Sequence, residues 1–404
     1  MNIRTRRRRG TLLAAIVSAG MVSMPSAFVV GQLPLAAPSK DKQAFGLDDK
    51  DVLLYLEAIS QIKEKSSRLS PDITRARIIE QSLRAYLSQR DVCCDYLTRE
   101  EYRTFKESLN ERYVGVGMEI KQDRDGRIVC VPHPESPAAR AGIAVGDQLK
   151  RIDGVSVNGK SIFAVGAMAR GKPGTEVTFV VVTGGGNERL VRVMRASVAL
   201  PSVVKRFVDR KPILEVSHFT RDTGARMKEI VKGWERDEPI IVDLRGNGGG
   251  DIHAAIDSAR LFLPEGKTIV AVETRKGANR YETRAAAVNV TTPVYLWQDE
   301  GTGSAAEVFI AALTDNNRGV SIGKRSAGEA VWEEIIELSD GSALVLATGN
   351  LQTPRGMRFQ GRGLMPTYGL KDGVVDRMDY LMKVRELLAA RKTGRLHGDQ
   401  RSVG

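Results

Sequence analysis

Two glycine-rich turns follow apolar runs and frame a serine. Asp243-Leu-Arg-Gly-Asn-Gly-Gly-Gly250 closes one run, and Gly301-Thr-Gly-Ser-Ala-Ala-Glu307 follows another. Each pattern predicts a strand that ends in a turn whose N–H groups can face a ligand, because glycine permits the backbone conformations of such turns. A hydroxyl at a strand-to-helix turn lies at the positive end of a helix, where it can attack a carbonyl. The pair therefore indicates an acyl-transfer site with Ser304 as the nucleophile.

The same residues also have a purely structural interpretation. Ser304-Ala-Ala-Glu307 is a capping box, which begins a helix without any chemistry. The glycines up to Gly250 can likewise serve a tight turn alone. By themselves, these residues leave both interpretations open.

Strands and helices alternate from residue 198 onward, and this order positions both turns. The predicted strands cover residues 213–216, 240–244, 268–272, 294–297, 320–322 and 343–348, and the predicted helices cover 222–234, 252–262 and 304–313. Such alternation predicts a mainly parallel sheet that is covered by helices on both faces. Sites in these sheets lie beyond the carboxyl ends of the strands, which is where both turns fall.

Short strands dominate the preceding segment. They are predicted at residues 116–120, 127–131, 148–152, 177–182 and 189–195, with helices at 137–141 and 162–168. The motifs Val114-Gly-Val-Gly-Met-Glu-Ile120, Ser136-Pro-Ala-Ala-Arg-Ala-Gly142, Gly146-Asp147 and Ile152-Asp-Gly154 follow one another in an order that resembles a PDZ domain. The resemblance implies that backbone N–H groups receive the C-terminal carboxylate of a peptide at Gly115, Val116, Gly117 and Met118. It also implies that the neighbouring strand edge accepts the peptide as an added strand.

The N-terminal region predicts an export signal followed by helices. Residues 11–30 carry no charge, follow a cluster of arginines and contain small residues at Ser26 and Ala27 where cleavage can occur. A stretch of about 20 apolar residues is also long enough to be an uncleaved membrane anchor. From residue 49 to 112 apolar residues recur at helical spacing, which predicts a small helical cap or dimerisation arm.

Composition narrows the class of protein. The 61 Lys and Arg residues outnumber the 49 Asp and Glu residues, but five of the arginines lie among the first nine positions. No basic stripe is interleaved with aromatic residues and no zinc spacing is present, which argues against nucleic-acid binding. His133, His218 and His397 show no ligand spacing, so we assign no metal and no cofactor.

Three cysteines are present, at Cys93, Cys94 and Cys130. The odd number cannot pair completely within one chain, and adjacent cysteines are poorly placed to bridge each other. We interpret them as small buried residues, while a single link from Cys130 to one of the others stays open in an oxidising compartment.

Three blocks together resemble the C-terminal-processing, or tail-specific, serine peptidases. They are Asp243-Leu-Arg-Gly-Asn-Gly-Gly-Gly250, Thr302-Gly-Ser-Ala-Ala-Glu307, and the pair Leu351-Gln-Thr-Pro-Arg-Gly-Met and Gly361-Arg-Gly-Leu-Met-Pro366. With the PDZ-like segment the resemblance covers roughly residues 50 to 385. It implies an exported or membrane-attached endopeptidase with a Ser-Lys dyad that engages substrate C-termini through its PDZ domain. The nucleophile then falls on Ser304, and the oxyanion N–H groups belong to Gly250 and Ala305.

The position of the general base departs from this pattern. The family has its lysine in a G-x-x-[ST]-x-G-K segment 25 positions after the serine, and Gly323-Lys-Arg-Ser-Ala-Gly-Glu329 matches without a gap. Glu329 therefore occupies the lysine position, and Glu333 the position of a supporting glutamine. A buried lysine can lose its proton and accept one from serine, whereas a carboxylate with a reference pKa of about 4.3 is a much weaker base.

Three interpretations follow. The chain is an active peptidase in which Glu329 with a raised pKa, Lys324 or His253 activates Ser304. Alternatively, it keeps the fold, has lost catalysis and binds extracytoplasmic C-termini as a scaffold or as a regulator of an active relative. In the third interpretation, Glu329 acts as a general base on water in some other acyl chemistry.

The sequence thus predicts a multidomain protein of the α/β and α+β classes with a tail-specific peptidase or crotonase-like core. The expected divisions are an export signal or anchor at 1–37, a helical region at 44–113, a PDZ-like domain at 114–197, the core at 198–380, and the helix end with a disordered tail at 381–404. The expected function is that of a periplasmic or otherwise extracytoplasmic serine endopeptidase. Its expected partners are polypeptides with apolar C-termini and a second copy bound through the N-terminal helices, with membrane anchoring left open.

Overall fold

The computed structural model describes most of the chain from residue 49 to residue 393. The described residues are 28–29, 49–67, 73–90, 94–108, 112–122, 126–133, 135–183, 186–199, 201–235, 237–284, 287–289, 291–371, 373 and 375–393. The expected export signal lies outside these residues apart from 28–29, as do Cys93, His397 and the expected tail after residue 393. Within the described ranges, no helix has the length and apolar character needed to cross a bilayer.

Helices dominate the N-terminal region. The elements are β1 (Phe28–Val29), α1 (Asp49–Lys65), α2 (Arg75–Arg90), β2 (Asp95–Leu97) and α3 (Arg99–Ser108). In α1, Ile59 is buried, whereas Leu53 and Leu54 are each 64% exposed and Val52, Tyr55, Leu56 and Ile62 are also exposed. The helical periodicity is confirmed, and it leaves an apolar surface on α1 open.

The next segment folds as an antiparallel PDZ domain. Its elements are β3 (Arg112–Gly115), β4 (Met118–Gln122), β5 (Ile128–Pro132), α4 (Pro137–Arg140), β6 (Gln148–Ile152), β7 (Val155–Ser156), α5 (Ile162–Ala169), β8 (Glu176–Val182), β9 (Glu188–Met194) and β10 (Ala196–Ala199). The main sheet has the order β4-β5-β6-β8-β9, which leaves one side of β4 as a free edge. The strand predicted from residue 116 begins instead at Met118, because Gly117 has a φ of 68° and belongs to the preceding loop.

The core contains the remaining elements. They are β11 (Val203–Val208), β12 (Lys211–Val216), α6 (Thr223–Lys232), β13 (Ile240–Asp243), α7 (Ile252–Arg260), β14 (Thr268–Thr274), β15 (Gly277–Glu282), β16 (Val294–Gln298), α8 (Ala305–Asp315), β17 (Gly319–Gly323), β18 (Val331–Glu337), β19 (Ala343–Gln352), β20 (Tyr368–Gly369) and α9 (Arg377–Lys392). One sheet has the order β11-β12-β13-β16-β17-β20, and all its pairs are parallel except β11 with β12. Side chains of α6, α7 and α8 pack on one face and side chains of α9 pack on the other. The predicted parallel sheet with two covered faces is confirmed.

Two of the predicted core strands belong to a different sheet. β14 and β19, predicted at 268–272 and 343–348, pair antiparallel with each other. They form a second, mainly antiparallel sheet of order β1-β18-β19-β14-β15. Their assignment to the parallel sheet was wrong, because strand periodicity reports which residues are buried and not which neighbour supplies the hydrogen bonds.

Candidate active site

Three loops meet beyond the carboxyl ends of adjacent parallel strands. The loop 244–251 follows β13, the loop 299–304 follows β16, and the loop 324–330 follows β17. Because β13 pairs with β16 and β16 with β17, all in parallel, these loops leave the same edge of the sheet side by side. The fold thus brings together both glycine-rich turns and the segment that contains Glu329.

A partly buried acid, Asp299, joins the first two loops. The Asp299 carboxylate accepts the N–H of Gly246 at 2.8 Å and the N–H of Gly301 at 3.0 Å. The Thr302 hydroxyl donates to the Leu244 carbonyl at 2.9 Å. Burial raises the pKa of Asp299, and the hydrogen bonds from Gly246, Gly301 and Thr302 oppose that shift. The two turns are therefore fixed relative to each other by side chains as well as by the sheet.

Ser304 has an unusual backbone conformation at the start of a helix. Its φ of 52° and ψ of −119° lie in a region that residues with side chains rarely adopt, and α8 begins at the next residue. A strained residue at a strand-to-helix turn is also the backbone geometry of the nucleophile turn in α/β-hydrolases. Ser304 is fully buried, and its Oγ makes no hydrogen bond to any described residue.

The capping interpretation holds only for the glutamate. Ser304 and Glu307 stand in a capping-box arrangement, and the Glu307 carboxylate accepts the Ser304 N–H at 2.9 Å. The serine hydroxyl makes no capping hydrogen bond in return. The Ser304 hydroxyl is therefore buried without a hydrogen bond to any described residue.

Glycines of the first turn pass directly beside this serine. A Cβ atom on Gly249 would lie 2.8 Å from Ser304 Cβ and 3.0 Å from Ala305 N, and one on Gly250 would overlap the Phe219 carbonyl oxygen. Phe219 N–H donates to Gly249 O at 2.8 Å, and Phe219 O accepts from Asp251 N–H at 2.9 Å. Within the described chain the N–H groups of Gly250 and Ala305 donate to no other atom. Two unused donors thus lie close to the serine.

The carboxylate of Glu307 links Ser304 to the loop of Glu329. One oxygen, Oε2, accepts the N–H of Ser304 at 2.9 Å and the N–H of Glu329 at 2.8 Å. Glu329 is 5% exposed. Glu333 follows in β18 and is likewise buried. The residue at the lysine position therefore lies in the buried interior of the site, with its backbone held next to that of Ser304.

Two other candidate bases are engaged elsewhere. The Lys324 ammonium pairs with Glu300 at 3.2 Å and donates to the Gly373 carbonyl at 3.0 Å. The His253 ring packs edge-on against Tyr281 and Trp332, with centroid distances of 5.8 and 5.7 Å. The structure therefore gives neither residue a contact with Ser304.

The late sequence block braces the loop of Glu329. The Leu364 N–H donates to Ser326 Oγ at 2.6 Å, and the Gly361 N–H donates to the Gly328 carbonyl at 2.7 Å. A Cβ atom on Gly328 would lie 2.5 Å from Gly363 N, so the two loops require glycine where they touch. The block 361–366 thus supports the loop of Glu329.

The PDZ loop offers unused donors of its own. The carbonyls of Val116 and Gly117 accept the N–H groups of Ala138 and His133, at 2.9 and 3.0 Å. The N–H groups of Val116 and Gly117 donate to no described residue. Met118 and Val165 line the apolar interior between β4 and α5. The loop therefore presents N–H groups beside the free edge of β4.

Sequence reasoning missed three residues that build the site. Glu307 was recognised only as a cap, although the spacing of the capping box was its signal. Asp299 follows a strand end, where a lone acid gave no specific signal. Phe219 brackets Gly250 from a distant part of the sequence, and no local pattern announces it.

The described cysteines are not joined to each other. Cys130 is a buried thiol in the PDZ core, and burial raises its pKa to about 12. Cys94 Sγ accepts the Ala347 N–H at 3.4 Å, next to β2 and β19. Cys130 thus matches the interpretation as a small buried residue.

Comparison with known proteins gives two family matches and a set of relatives. Residues 212–370 match the model of peptidase family S41, and residues 128–183 match that of the PDZ domain. The chain is 29% identical over 359 residues to a protein described as a "Probable CtpA-like serine protease" of Staphylococcus aureus (strain MRSA252), covering 88% of the chain and 70% of the relative. A protein of the same description from S. aureus (strain COL) is 32% identical over 281 residues, which is 69% of the chain and 56% of the relative.

A solved structure shares the fold. The photosystem II D1 C-terminal processing protease superposes with a TM-score of 0.65 at 23% identity, over 84% of this chain and 97% of that protein. The match supports the fold class. The chain spans between 56% and 70% of the length of the two S. aureus relatives.

Proposed function

We propose, from the premise that this chain belongs to peptidase family S41 and carries a PDZ domain, that it is a serine endopeptidase that selects polypeptides by their C-termini. The observation that carries the proposal is the strained conformation of Ser304, which directly precedes α8. The Ser304 hydroxyl has no hydrogen-bond partner among the described residues. Strain of this kind persists in a fold where surrounding contacts enforce it, and it clusters at active sites.

The proposed reaction starts with attack by Ser304 Oγ on a peptide carbonyl. A new bond forms between Oγ and the carbonyl carbon, and the hydroxyl proton passes to the base. The negative charge on the carbonyl oxygen is stabilised by the N–H groups of Gly250 and Ala305, which have no other described acceptor. Collapse breaks the peptide bond, the proton passes to the leaving amine, and water then hydrolyses the acyl-enzyme.

Glu329 is our proposed proton acceptor. It stands at the family's lysine position, it is 5% exposed, and its backbone is tied to that of Ser304 through Glu307. Burial favours the neutral form of a carboxyl group, which makes a buried carboxylate a better proton acceptor than an exposed one. The negative charge then lies on the carbonyl oxygen. The engaged ammonium of Lys324 and the packed ring of His253 favour Glu329 over both alternatives.

The PDZ loop is the proposed recognition site. The unused N–H groups of Val116 and Gly117, with Gly115 and Met118 on either side, fit the carboxylate of a C-terminus. The free edge of β4 then accepts the peptide as an added strand, and the apolar interior beside α5 suits an apolar last residue.

We also propose an extracytoplasmic location and contact between copies. The location rests on the uncharged segment 11–30 and on the family of the relatives. The contact rests on α1, where Leu53 and Leu54 are each 64% exposed on a helix with several other exposed apolar side chains. Leu53→Lys with Leu54→Lys should lower the mass measured by light scattering to that of one chain, whereas a wild-type protein that is already monomeric removes this part of the proposal.

Cleavage by matched variants tests the function. The substrate is an unfolded reporter protein with an apolar C-terminus, and the control is the same reporter with an acidic C-terminus. Wild type should cleave the first faster, and Ser304→Ala should lose cleavage while binding a C-terminal peptide with unchanged affinity. Cleavage that persists in Ser304→Ala would remove this serine from the mechanism.

A second candidate function is peptide binding without catalysis. The acid at position 329 and the complete burial of Ser304 favour it. In that case the wild type binds C-terminal peptides through the PDZ domain and does not cleave them. Gain of cleavage in Glu329→Lys would then identify a peptide-binding protein built on a disarmed peptidase.

A further inference from the structure

Glu307 is the most densely hydrogen-bonded acid of the candidate active site. It is fully buried in the first turn of α8. Its Oε2 accepts the N–H groups of Ser304 and Glu329, and its Oε1 accepts the Gly328 N–H at 2.8 Å and the Ser326 hydroxyl. Four donors from two separate loops thus converge on one side chain.

The pattern of donors fits an ionised Glu307. Backbone N–H groups can only donate, and three of the four partners are of this kind. Ser326 Oγ accepts from the Leu364 N–H at 2.6 Å, which leaves its own proton for Glu307. Burial raises the pKa of Glu307 above its usual value, and the four hydrogen bonds offset only part of that shift. A carboxylate accepts from all four donors at once, whereas a protonated carboxyl would direct its proton at one of these partners.

The same contacts decide which N–H groups can serve an oxyanion. Because the Ser304 N–H is already bound to Glu307, it has no capacity for a second acceptor. The N–H groups of Gly250 and Ala305 stay available within the described chain. Glu307 therefore holds Ser304 in its strained conformation. Because it occupies the Ser304 N–H, the N–H groups of Gly250 and Ala305 are the ones left for an oxyanion.

We infer that Glu307 is a positioning residue. Its ionised carboxylate holds the turn at Ser304 (residues 299–304) and the loop of Glu329 (residues 324–330) in a fixed position relative to each other. The catalytic effect of this positioning rests on the proposed function. The hydrogen bonds themselves are present whether or not the protein cleaves peptides. A second tie runs in parallel, since the Ala327 N–H donates to the Thr302 carbonyl at 2.8 Å. In Glu307→Gln, the side-chain NH2 group would face backbone N–H groups that also donate, so hydrogen bonds to both loops would be lost. We therefore expect both loops to become more mobile together.

Hydrogen–deuterium exchange tests the coupling directly. In wild type, segments 302–308 and 326–330 should both be protected. In Glu307→Gln, both should exchange faster, by about tenfold or more, because the same acceptor is lost to each. Ser326→Ala removes one donor and should speed both segments by a smaller factor, which keeps the test available if Glu307→Gln does not fold.

A destabilised control separates positioning from general stability. Val231→Ala truncates a buried residue of α6 and should lower the melting temperature without a selective change in either segment. Faster exchange in only one segment of Glu307→Gln, or an equal change in Val231→Ala, would overturn the inference.

Kinetics of the same variants separate the two proposals. If wild type cleaves, Glu307→Gln should lower kcat strongly and leave KM within about twofold, because the loops it holds act on the transition state. An unchanged kcat in Glu307→Gln would contradict the positioning role of Glu307 and leave the peptidase proposal intact. A silent wild type in which both segments still respond to Glu307→Gln would defeat the peptidase proposal and leave the positioning role intact.

Discussion

The turn at Gly250 and the PDZ loop at Gly117 both need glycine, because each passes too close to a neighbouring segment to hold a Cβ atom. Gly250 has a φ of 124° and abuts the Phe219 carbonyl, and Gly117 has a φ of 68° and lies where a Cβ atom would be 2.5 Å from Ser136 Cβ. Each turn leaves N–H groups without a described acceptor. The two differ in what else they need. Capture of a carboxylate uses N–H groups alone, whereas acyl transfer also needs a proton acceptor.

The proton acceptor is also where the chain departs from its family pattern, because Glu329 stands at the position of the lysine. The hydrogen bond from position 329 to Glu307 is made by the backbone N–H, which any residue at that position except proline can supply. The backbone framework and the chemistry of the base are therefore separable. Substitutions in the two turns can show whether both are used.

The largest effect is expected at Gly250. Gly250→Ala would drive a methyl group into the Phe219 carbonyl and displace one proposed oxyanion donor. We expect kcat to fall by about 100- to 1000-fold, the usual loss for one such donor. Gly246→Ala is the matched control, because Gly246 has a φ of 70° in the same loop but nothing within 4 Å of a Cβ atom. Similar rates in the two variants would detach Gly250 from catalysis.

A smaller effect is expected in the PDZ loop. Gly117→Ala should weaken binding of a C-terminal peptide by about tenfold or more, since the loop must shift away from Ser136. Gly159→Ala, with a φ of 69° and open space around it, controls for backbone strain. Isothermal titration with free-acid and amidated peptides checks this prediction. Equal loss for both peptides would contradict carboxylate capture.

The smallest effect concerns pH and the histidine beside that loop. Burial is the main cause that lowers the pKa of His133, Glu119 opposes it, and Lys121 adds to it. The unfolded histidine therefore protonates first, and stability should be lost as pH falls below about 6.5 through the folded pKa. His133→Gln should flatten this loss, where one unit of pKa difference corresponds to about 1.4 kcal/mol. Urea unfolding between pH 5 and 8 measures it, and parallel curves for both proteins would contradict the assignment.

The sequence predicted the strands and turns of the site better than the strand pairing and the side-chain contacts. Apolar runs located β13 and β16, and glycines marked both turns, because strand burial and positive φ leave strong local signals. The sheet to which β14 belongs has no such signal, since pairing is a long-range property. The same holds for Phe219, which meets Gly250 only in the folded chain.

Side-chain roles were predictable only where spacing carried them. The capping-box spacing identified Glu307 as a helix-start residue, and the fold adds its contacts to Gly328 and Glu329 in a loop about 20 residues away. Lys324 lies close in sequence to the base position, but its ammonium finds Glu300 instead. Closeness in sequence to position 329 therefore did not show whether the Lys324 ammonium lies near Ser304.

Cleavage of the apolar-tailed reporter across pH 5 to 9, by wild type and by Glu329→Lys, tests the central claim most directly. We predict that wild type cleaves and loses activity as pH falls, because Glu329 must be ionised to accept the Ser304 proton. Glu329→Lys should cleave best at higher pH, because a lysine accepts the proton only in its neutral form. A wild type that is silent at every pH, beside a Glu329→Lys variant that cleaves, would contradict the account.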